Sequence, residues 1–237
     1  MRGPIGSKVR LTIKRGITLQ KDIDLERIKI ISDAELEVER IENVLIIRLS
    51  SIPSGIAETL KRMTADLLPM SKGIILDLRN NSGGLLDESI SLADEFLDKA
   101  IIVTSRGRTD RDVERWWARK GQIASGLPIV VLVNATTASG AEVIAGALQD
   151  NGRATIVGQK TFGAGSVQSL ILIDQDHVLK LTTSNEYRPN GERLTDAPII
   201  PDCVTGLKRD DLLKFALAIV KQAGKRLCPT TSDGASK

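Results

Sequence analysis

The sequence predicts an α/β fold in which helices are layered on a central sheet. Short apolar runs alternate with amphipathic stretches along most of the chain, and polar or glycine-rich loops separate them. The 237 residues, 41% of them hydrophobic, suffice for a sizeable core and for one or two domains. No internal repeat and no long linker interrupts the alternation.

The first part of the chain predicts several strands and two helices. Val9, Leu11 and Ile13 alternate with polar neighbours, which is the period of a strand. The elements expected after them are short extended pieces around Ile23, Leu25, Ile28 and Ile30, a buried strand at 44–47, a helix opening at Ser54-Gly55 with Ile56, Leu60, Met63 and Leu67 on one face, a buried strand at 73–78, a tight loop at 79–84, and a helix aligning Leu86, Ile90, Ala93 and Leu97.

The second part continues the alternation. Residues 128–133 contain no polar side chain, so we expect this strand to be buried on both faces. The other expected elements are a strand at 101–103 with a charged stretch after it to Gly121, a small-residue loop at 134–138, a helix at 139–148, a strand at 154–157, a glycine-rich segment at 158–165, paired strands at 167–173 and 178–182 around a polar turn, a C-terminal helix carrying Leu212, Phe215, Ala216 and Ile219, and a disordered tail from Pro229.

Composition excludes several classes of function. A net charge of +3 is too small to indicate nucleic-acid binding. The first 30 residues carry eight basic against three acidic residues, which a solvated strand face explains better than an anionic partner. No apolar run approaches a membrane span, and no signal peptide is visible at the N-terminus. Cys203, Cys228 and the single histidine, His177, make no metal cluster, and a Cys203–Cys228 disulfide has no support from the sequence.

Three loops could carry chemistry. Ser139 follows an apolar strand at the start of a helix, where backbone N–H groups and the helix dipole could stabilise an oxyanion, although from this loop alone a helix N-cap is the better interpretation. Consecutive glycines at 83 and 84 expose backbone, as a plain turn also would. The segment 158–165 has Gly-x4-Gly spacing, but Ala164 and Gly165 replace the Lys-Ser/Thr pair of a phosphate loop. No Gly-x-Ser-x-Gly is present, and His177 is expected in an exposed turn.

In their order and spacing the loops resemble the carboxyl-terminal processing peptidases, also called tail-specific proteases. The matching segments are GIILDLRNNSGG (73–84), LVNATTASGAEVIAGALQD (132–150), VGQKTFGAGSVQ (157–168), LKLTT (179–183), YRPNG (187–191) and IPD (200–202). The resemblance covers roughly residues 3–206 and implies a layered ClpP/crotonase-like core. Residues 2–15 resemble the closing strands of a PDZ domain, so the expected division is a PDZ end with connecting strands at 1–31, the peptidase core at 32–206, a helix at 207–228 and a disordered tail at 229–237.

The resemblance also implies site residues, because this family uses a Ser–Lys dyad. It makes Ser139 the nucleophile and Gln168 the residue that orients the lysine, with an oxyanion hole formed by the Gly140 N–H and an N–H from the Gly83-Gly84 turn. Asp150 matches a family position and is expected to support the site. The lysine itself is absent, since Ala164 occupies its place in Phe-Gly-Lys-Gly, and Lys160 and Lys180 match other family positions. No metal and no cofactor is implied.

Several functions therefore stay open. The first is a serine endopeptidase that cleaves unstructured polypeptides near the C-terminus through a Ser139 acyl-enzyme, slowed because a serine hydroxyl needs a base. The second is an inactive peptide-binding or regulatory paralogue, as a homo-oligomer or with an active homologue. An acyl-CoA enzyme rests on architecture alone. The family is usually exported, but the sequence leaves the compartment open, as it does the origin of Ala164. The pair Trp116-Trp117 could contact a partner, although one ring packing on the core is the favoured interpretation.

Overall fold

Two compact units make up the chain, Met1–Asp33 and Ala34–Lys237. The computed structural model describes residues 3–4, 6–15, 19–27, 35–109, 111–174, 177–207 and 209–222. The finer division expected at residues 31, 206 and 228 stays a prediction. Ile28, Ile30, Cys228 and the tail from Pro229 lie outside the described residues.

The first unit is a two-stranded antiparallel ribbon of β1 (Lys8–Arg15) and β2 (Leu19–Glu26). Arg10 forms an ion pair with Asp24, with 2.7 Å between Nε and Oδ1. On the opposite face Leu11 stands across from Ile23, as strand alternation requires. The predicted strand around Leu11 is confirmed, whereas its identity as the end of a PDZ domain stays a prediction.

The second unit contains ten strands and four α-helices within the described residues. In chain order they are β3 (Leu36–Ile41), β4 (Val44–Leu49), α1 (Ile56–Thr64), β5 (Gly73–Asp77), α2 (Leu86–Phe96), β6 (Ile101–Arg106), β7 (Val113–Trp117), β8 (Ile129–Val133), α3 (Gly140–Asp150), β9 (Thr155–Gly158), β10 (Ser166–Leu172), β11 (Val178–Tyr187), β12 (Cys203–Val204) and α4 (Arg209–Lys221). A short 3₁₀ helix, Leu68–Met70, follows α1.

The main sheet has the order β12-β9-β8-β5-β4-β3, and all its neighbours are parallel except β3 and β4. Alternate side chains of β8 enter two apolar layers: Val131 and Val133 pack with α1, α2 and α3, while Val130 and Leu132 pack with α4. The predicted burial of this strand on both faces is therefore confirmed. Helix α4 packs within the chain, as its apolar positions indicate.

The second sheet is antiparallel, with the order β10-β11-β6-β7. Strand β11 pairs with β6 only from Asn185 to Tyr187, so among the described residues the rest of the β10–β11 hairpin has no third strand beside it. On β7, Trp116 packs against the core and Trp117 is exposed, which confirms that one ring packs inward.

Some helix boundaries differ from the prediction. Helix α1 ends at Thr64, so Leu67 lies beyond it. Met63 lies within the helix but is exposed and does not share the buried face of Ile56 and Leu60. Pro69 lies in the short 3₁₀ helix that follows, where a proline cannot continue an α-helix. Leu97 is buried but adopts an extended conformation just after α2. Cys203 on β12 is disulfide-bonded. In the parts of the chain that the structure describes, no helix is both long and apolar enough to cross a membrane.

Candidate active site

The first two predicted loops meet at one edge of the main sheet. They follow β5 and β8, which are neighbouring parallel strands, so both leave the sheet at the same end. The Ala138 N–H donates to the Asn81 carbonyl at 2.9 Å, and the side chains of Asn80 and Asn134 bond to each other, with 2.7 Å between Asn134 Nδ2 and Asn80 Oδ1. These bonds fix the glycine loop beside Ser139.

Ser139 occupies a strained turn between β8 and α3. Its φ of 53° and ψ of −124° lie in a backbone region that residues other than glycine rarely adopt. Ser139 and Glu142 stand in the arrangement of a capping box, but the hydrogen bond made is the one from the Ser139 N–H to Glu142 Oε2, at 3.0 Å. The half-buried serine hydroxyl makes no cap bond, although Ser139 holds the N-cap position of α3.

The glycine loop touches the serine turn directly. Gly83 has a φ of 94°, and a Cβ there would come within 2.8 Å of both Gly140 N and Ser139 Cβ. The Gly83 N–H donates to Asn81 Oδ1 at 2.8 Å. By contrast, the N–H groups of Gly84 and Gly140 have no acceptor among the described residues. The unused donors beside Ser139 are thus those of Gly84 and Gly140.

Glu142 links the serine turn to the third loop. Its side chain is fully buried and accepts four hydrogen bonds, two at each oxygen. The donors are Thr161 Oγ1 at 2.5 Å and Gly163 N at 2.8 Å to Oε1, and Ser139 N at 3.0 Å and Ala164 N at 2.8 Å to Oε2. Sequence reasoning missed this residue because an acidic residue in the first helical turn is common for reasons of helix stability. The Thr161 and Gly163 partners are contacts that no sequence spacing reveals.

The backbone of Ala164 lies near that of Ser139. One oxygen of Glu142 accepts hydrogen bonds from both Ser139 and Ala164, so their amide nitrogens are near neighbours. The loop is also held at Phe162, whose N–H donates to the Thr137 carbonyl at 3.0 Å. In the described residues no lysine or arginine donates to the Ser139 hydroxyl, and Lys160 and Lys180 are both exposed.

The other two predicted site residues lie away from these contacts. The Gln168 amide on β10 donates to Thr182 Oγ1 at 2.6 Å and to Ser166 Oγ at 3.2 Å, and so is held within its hairpin. Asp150 at the end of α3 forms a two-point ion pair with Arg188, at 2.5 Å to Nη2 and 3.1 Å to Nε. Both members of this pair are buried, so it ties α3 to the segment after β11.

A second buried carboxyl lies close to Glu142. The N–H of Glu186 donates to the Gly165 carbonyl at 2.7 Å, and its side chain is buried with no hydrogen-bond partner for Oε2 in the described chain. Burial, and then the charge of Glu142, raise the pKa of Glu186 to about 7. His177, in contrast, is exposed at the hairpin tip beside Asp174, as expected. Within the described residues no cluster of three or more His, Cys, Asp or Glu side chains could hold a metal ion.

Comparisons with known proteins agree with this arrangement. The model of peptidase family S41 matches residues 43–205. A carboxy-terminal-processing protease of Bartonella bacilliformis is 40% identical over 213 residues, which cover 86% of this chain and 48% of that protein. A carboxyl-terminal-processing protease of Synechocystis is 36% identical over 223 residues, which cover 91% of this chain and 51% of that protein. The chain thus spans about half the length of the curated relatives it matches.

Solved structures are similar in fold. A photosystem II D1 C-terminal processing protease has a TM-score of 0.73 at 24% identity, covering 96% of this chain and 62% of that one. A lipoprotein from Streptococcus agalactiae has a TM-score of 0.64 at 24% identity, and the match covers 80% of this chain and 70% of that one. At these identities the likeness establishes the fold, and the predicted layered α/β core is confirmed.

Proposed function

Because the chain belongs to peptidase family S41, we propose that its Ser139 site hydrolyses peptide bonds near the C-termini of unstructured polypeptides, at a rate limited by Ala164. The names of the relatives, carboxyl-terminal-processing proteases, support the reaction and the substrate class. The strained serine turn with unused N–H donors beside it supports the site. No cofactor takes part in this proposal.

The proposed chemistry is acyl transfer. Ser139 Oγ attacks the scissile carbonyl, and the N–H groups of Gly140 and Gly84 donate to the oxyanion that forms. The attacking hydroxyl must lose its proton, and the leaving amine must gain one. A neutral lysine at position 164 would carry that proton between them, with Gln168 orienting it. The methyl group of Ala164 cannot, so water must accept the proton. The loss of a general base lowers the rate by about 10²–10⁴-fold.

One observation carries the proposal: Glu142 Oε2 accepts hydrogen bonds from the backbone at both Ser139, at 3.0 Å, and Ala164, at 2.8 Å. The shared carboxylate holds the backbone of residue 164 near that of Ser139, which supports the assignment of position 164 to the base. A lysine side chain is on the order of 6 Å long, so an amine at position 164 is within reach of the serine hydroxyl.

Restoring the lysine tests the proposal. Ala164→Lys should raise kcat/KM for a flexible peptide with a free C-terminus by about 10²–10⁴-fold. Adding Ser139→Ala to that variant should abolish the gain, and Ala135→Lys, which places a lysine on an exposed position of the serine loop, should give none. If the unmodified chain cleaves as fast as Ala164→Lys, the assigned role of position 164 is wrong.

A non-catalytic peptide-binding or regulatory role is the second candidate, and Ala164 is the observation that favours it. In that role the chain keeps the cleft and acts as a homo-oligomer or beside an active homologue. An acylating serine probe separates the two candidates, because an unactivated Ser139 stays unlabelled while fluorescence anisotropy still reports peptide binding. The acyl-CoA alternative rested on architecture, which the family assignment explains.

A further inference from the structure

The second sheet exposes one of its faces where β6 pairs with β7 and β11. On antiparallel strands, directly opposed residues share a face, as do alternate residues along one strand. Thr104 stands opposite both Arg115 and Tyr187, and Arg106 lies two residues farther along β6. Trp117 lies two residues beyond Arg115 on β7 and is 58% exposed. We call this surface the basic face, and its residues are Arg106, Val113, Arg115, Trp117 and Tyr187.

The two faces of this part of the sheet carry opposite charges. Glu114 and Glu186 both stand opposite Ser105, so the carboxyl groups of the paired segments lie on the inner face. Arg106 and Arg115 lie on the basic face, and both are exposed. In the part of the chain that the structure describes, neither arginine forms an ion pair. The basic face therefore offers two guanidinium groups to an anion from outside the chain.

An aromatic ring fixes one of these guanidinium groups. The Arg106 side chain lies over Tyr187, with 4.4 Å between Cζ and the ring centroid, which is a cation–π contact. A guanidinium group stacked on a ring still has N–H donors at its edge, and two of them can bind one carboxylate. Arg193 stands opposite Tyr187 on its other side and lies 3.4 Å from Asp196, measured from Nε to Oδ2. The position of Arg106 is thus set before any ligand arrives.

We propose that the basic face binds an acidic segment of the unstructured polypeptide substrate, with carboxylates paired to Arg106 and Arg115. The proposal rests on the proposed function and adds a feature of the substrate to it. Arg115 is two residues from Val113, which stands opposite Arg106, so the two arginines are about 7 Å apart along the strand direction. Side chains on one face of an extended polypeptide recur at about the same interval. Acidic residues at alternate positions therefore match both arginines.

The number of cations favours a polypeptide over other polyanions. Anionic membranes are typically bound by clusters of about four to eight basic residues, and nucleic acids by a larger basic surface than two free arginines. Strand β7 is an edge of the second sheet, along which an extended polypeptide can lie. Glu186, on the inner face, is close to Glu142, so the basic face points away from the Ser139 turn. The acidic segment is thus distinct from the one cleaved, and its binding raises the local concentration of the scissile segment.

Fluorescence anisotropy of labelled peptides tests binding without cleavage. A Gly/Ser peptide with glutamate at alternate positions should bind about 5–10-fold more tightly than the same peptide with glutamine, and about 0.5 M NaCl should remove the difference. Arg106→Gln and Arg115→Gln should each weaken binding of the glutamate peptide about 2–5-fold. Arg62→Gln removes the same charge from an exposed arginine of α1 and should leave binding unchanged. Far-UV circular dichroism verifies that each variant folds.

Tryptophan fluorescence locates the bound peptide. The glutamate peptide should change the emission of the wild-type chain, and Trp117→Phe should remove that change, because Trp116 packs against the core. Equal binding of the glutamate and glutamine peptides overturns the proposal, as does an equal loss in Arg62→Gln. Tighter binding of oligothymidylate or of phosphatidylserine vesicles, with the same dependence on Arg106 and Arg115, also overturns it and assigns the face to that ligand.

Cleavage links the basic face to the substrate. In Ala164→Lys, a substrate peptide extended by the acidic segment should have a lower KM than the unextended peptide and the same kcat, since the extension contributes binding away from the reacting bond. An unchanged KM overturns the assignment of the face to substrate. If Ala164→Lys cleaves neither peptide while the glutamate peptide still binds through Arg115, the proposed function fails and the anion-binding face does not.

Discussion

Replacing Glu186 with glutamine should remove a pH dependence of stability that one buried carboxyl imposes. The Glu186 side chain is 5% exposed, and its Oε2 has no hydrogen-bond partner among the described residues. Burial first, and the nearby Glu142 charge second, raise its pKa from the usual 4.5 to about 7. Between pH 4.5 and about 7 the Glu186 carboxyl therefore keeps its proton in the folded protein, whereas it has lost that proton in the unfolded chain.

The sign of the effect follows from proton counts. Below pH 4.5 the carboxyl is protonated in both states and costs nothing. Between pH 4.5 and about 7 only the folded state keeps the proton, so the free energy of unfolding falls as the pH rises. Each pH unit in that window costs about 1.4 kcal/mol, so the shift amounts to about 3 kcal/mol. Above pH 7 this contribution stays constant.

Urea unfolding at pH 5 and pH 8 measures this cost. From pH 5 to pH 8 the wild-type chain should lose about 3 kcal/mol more than Glu186→Gln does. Glu192→Gln, at a carboxyl whose side chain is 57% exposed, is the matched control and should keep the wild-type pH dependence. If Glu186→Gln loses as much stability between the two pH values as the wild type, then Glu186 is not the group responsible.

Three further substitutions and one control test contacts in the site and at the end of α3 by urea unfolding. Glu142→Gln replaces one carboxylate oxygen with the NH₂ group of an amide, which cannot accept from the two donors that face it, and should cost about 3–6 kcal/mol. A cost below about 1 kcal/mol would contradict the role of Glu142 as the common acceptor. Gly83→Ala should cost roughly 3–5 kcal/mol, because its Cβ would meet the serine turn. Gly126→Ala, also at positive φ but in open space, should cost only about 1–2 kcal/mol, and equal costs would exclude the clash. Arg188→Met leaves the buried Asp150 carboxylate without its cation and should cost about 3–5 kcal/mol of unfolding free energy. A cost below about 1 kcal/mol would show that the ion pair does not stabilise the fold.

The buried strands could be predicted because their side chains are apolar on both faces. Strand β8 is a continuous run of five apolar residues, which is too short for a typical helix and is characteristic of a strand buried on both faces. Strand β3 escaped prediction because Glu37, Glu39 and Arg40 fill most of an edge strand that only its pairing with β4 reveals. Strand β7 escaped for the same reason, since its residues look like part of a charged loop. Edge strands are defined by their neighbours more than by their own sequence.

In the candidate site, too, some contacts could be predicted from the sequence and others depend on tertiary packing. The nearness of Ser139 to the glycine turn follows from two loops that leave adjacent parallel strands at one end, which sequence order predicts. The burial of Glu186 beside Glu142 could not be predicted from sequence order, because tertiary packing brings the two residues together from β11 and α3. The expected role of Gln168 in orienting a lysine stays a prediction, and its amide donates to Thr182 and Ser166 within the hairpin.

The loop at 162–164 is held in place by backbone hydrogen bonds, whatever side chain stands at position 164. The backbone at Gly163 and Ala164 is held by the Glu142 carboxylate, and the backbone at Phe162 is held by the Thr137 carbonyl. None of these bonds involves the side chain at position 164. Glu142 is one turn along the helix from Ser139, and the same carboxylate accepts a hydrogen bond from the strained backbone of that serine. The shape of these loops therefore depends on Glu142 and not on the side chain at position 164, so the proposed restoration of a lysine there should leave the backbone undisturbed.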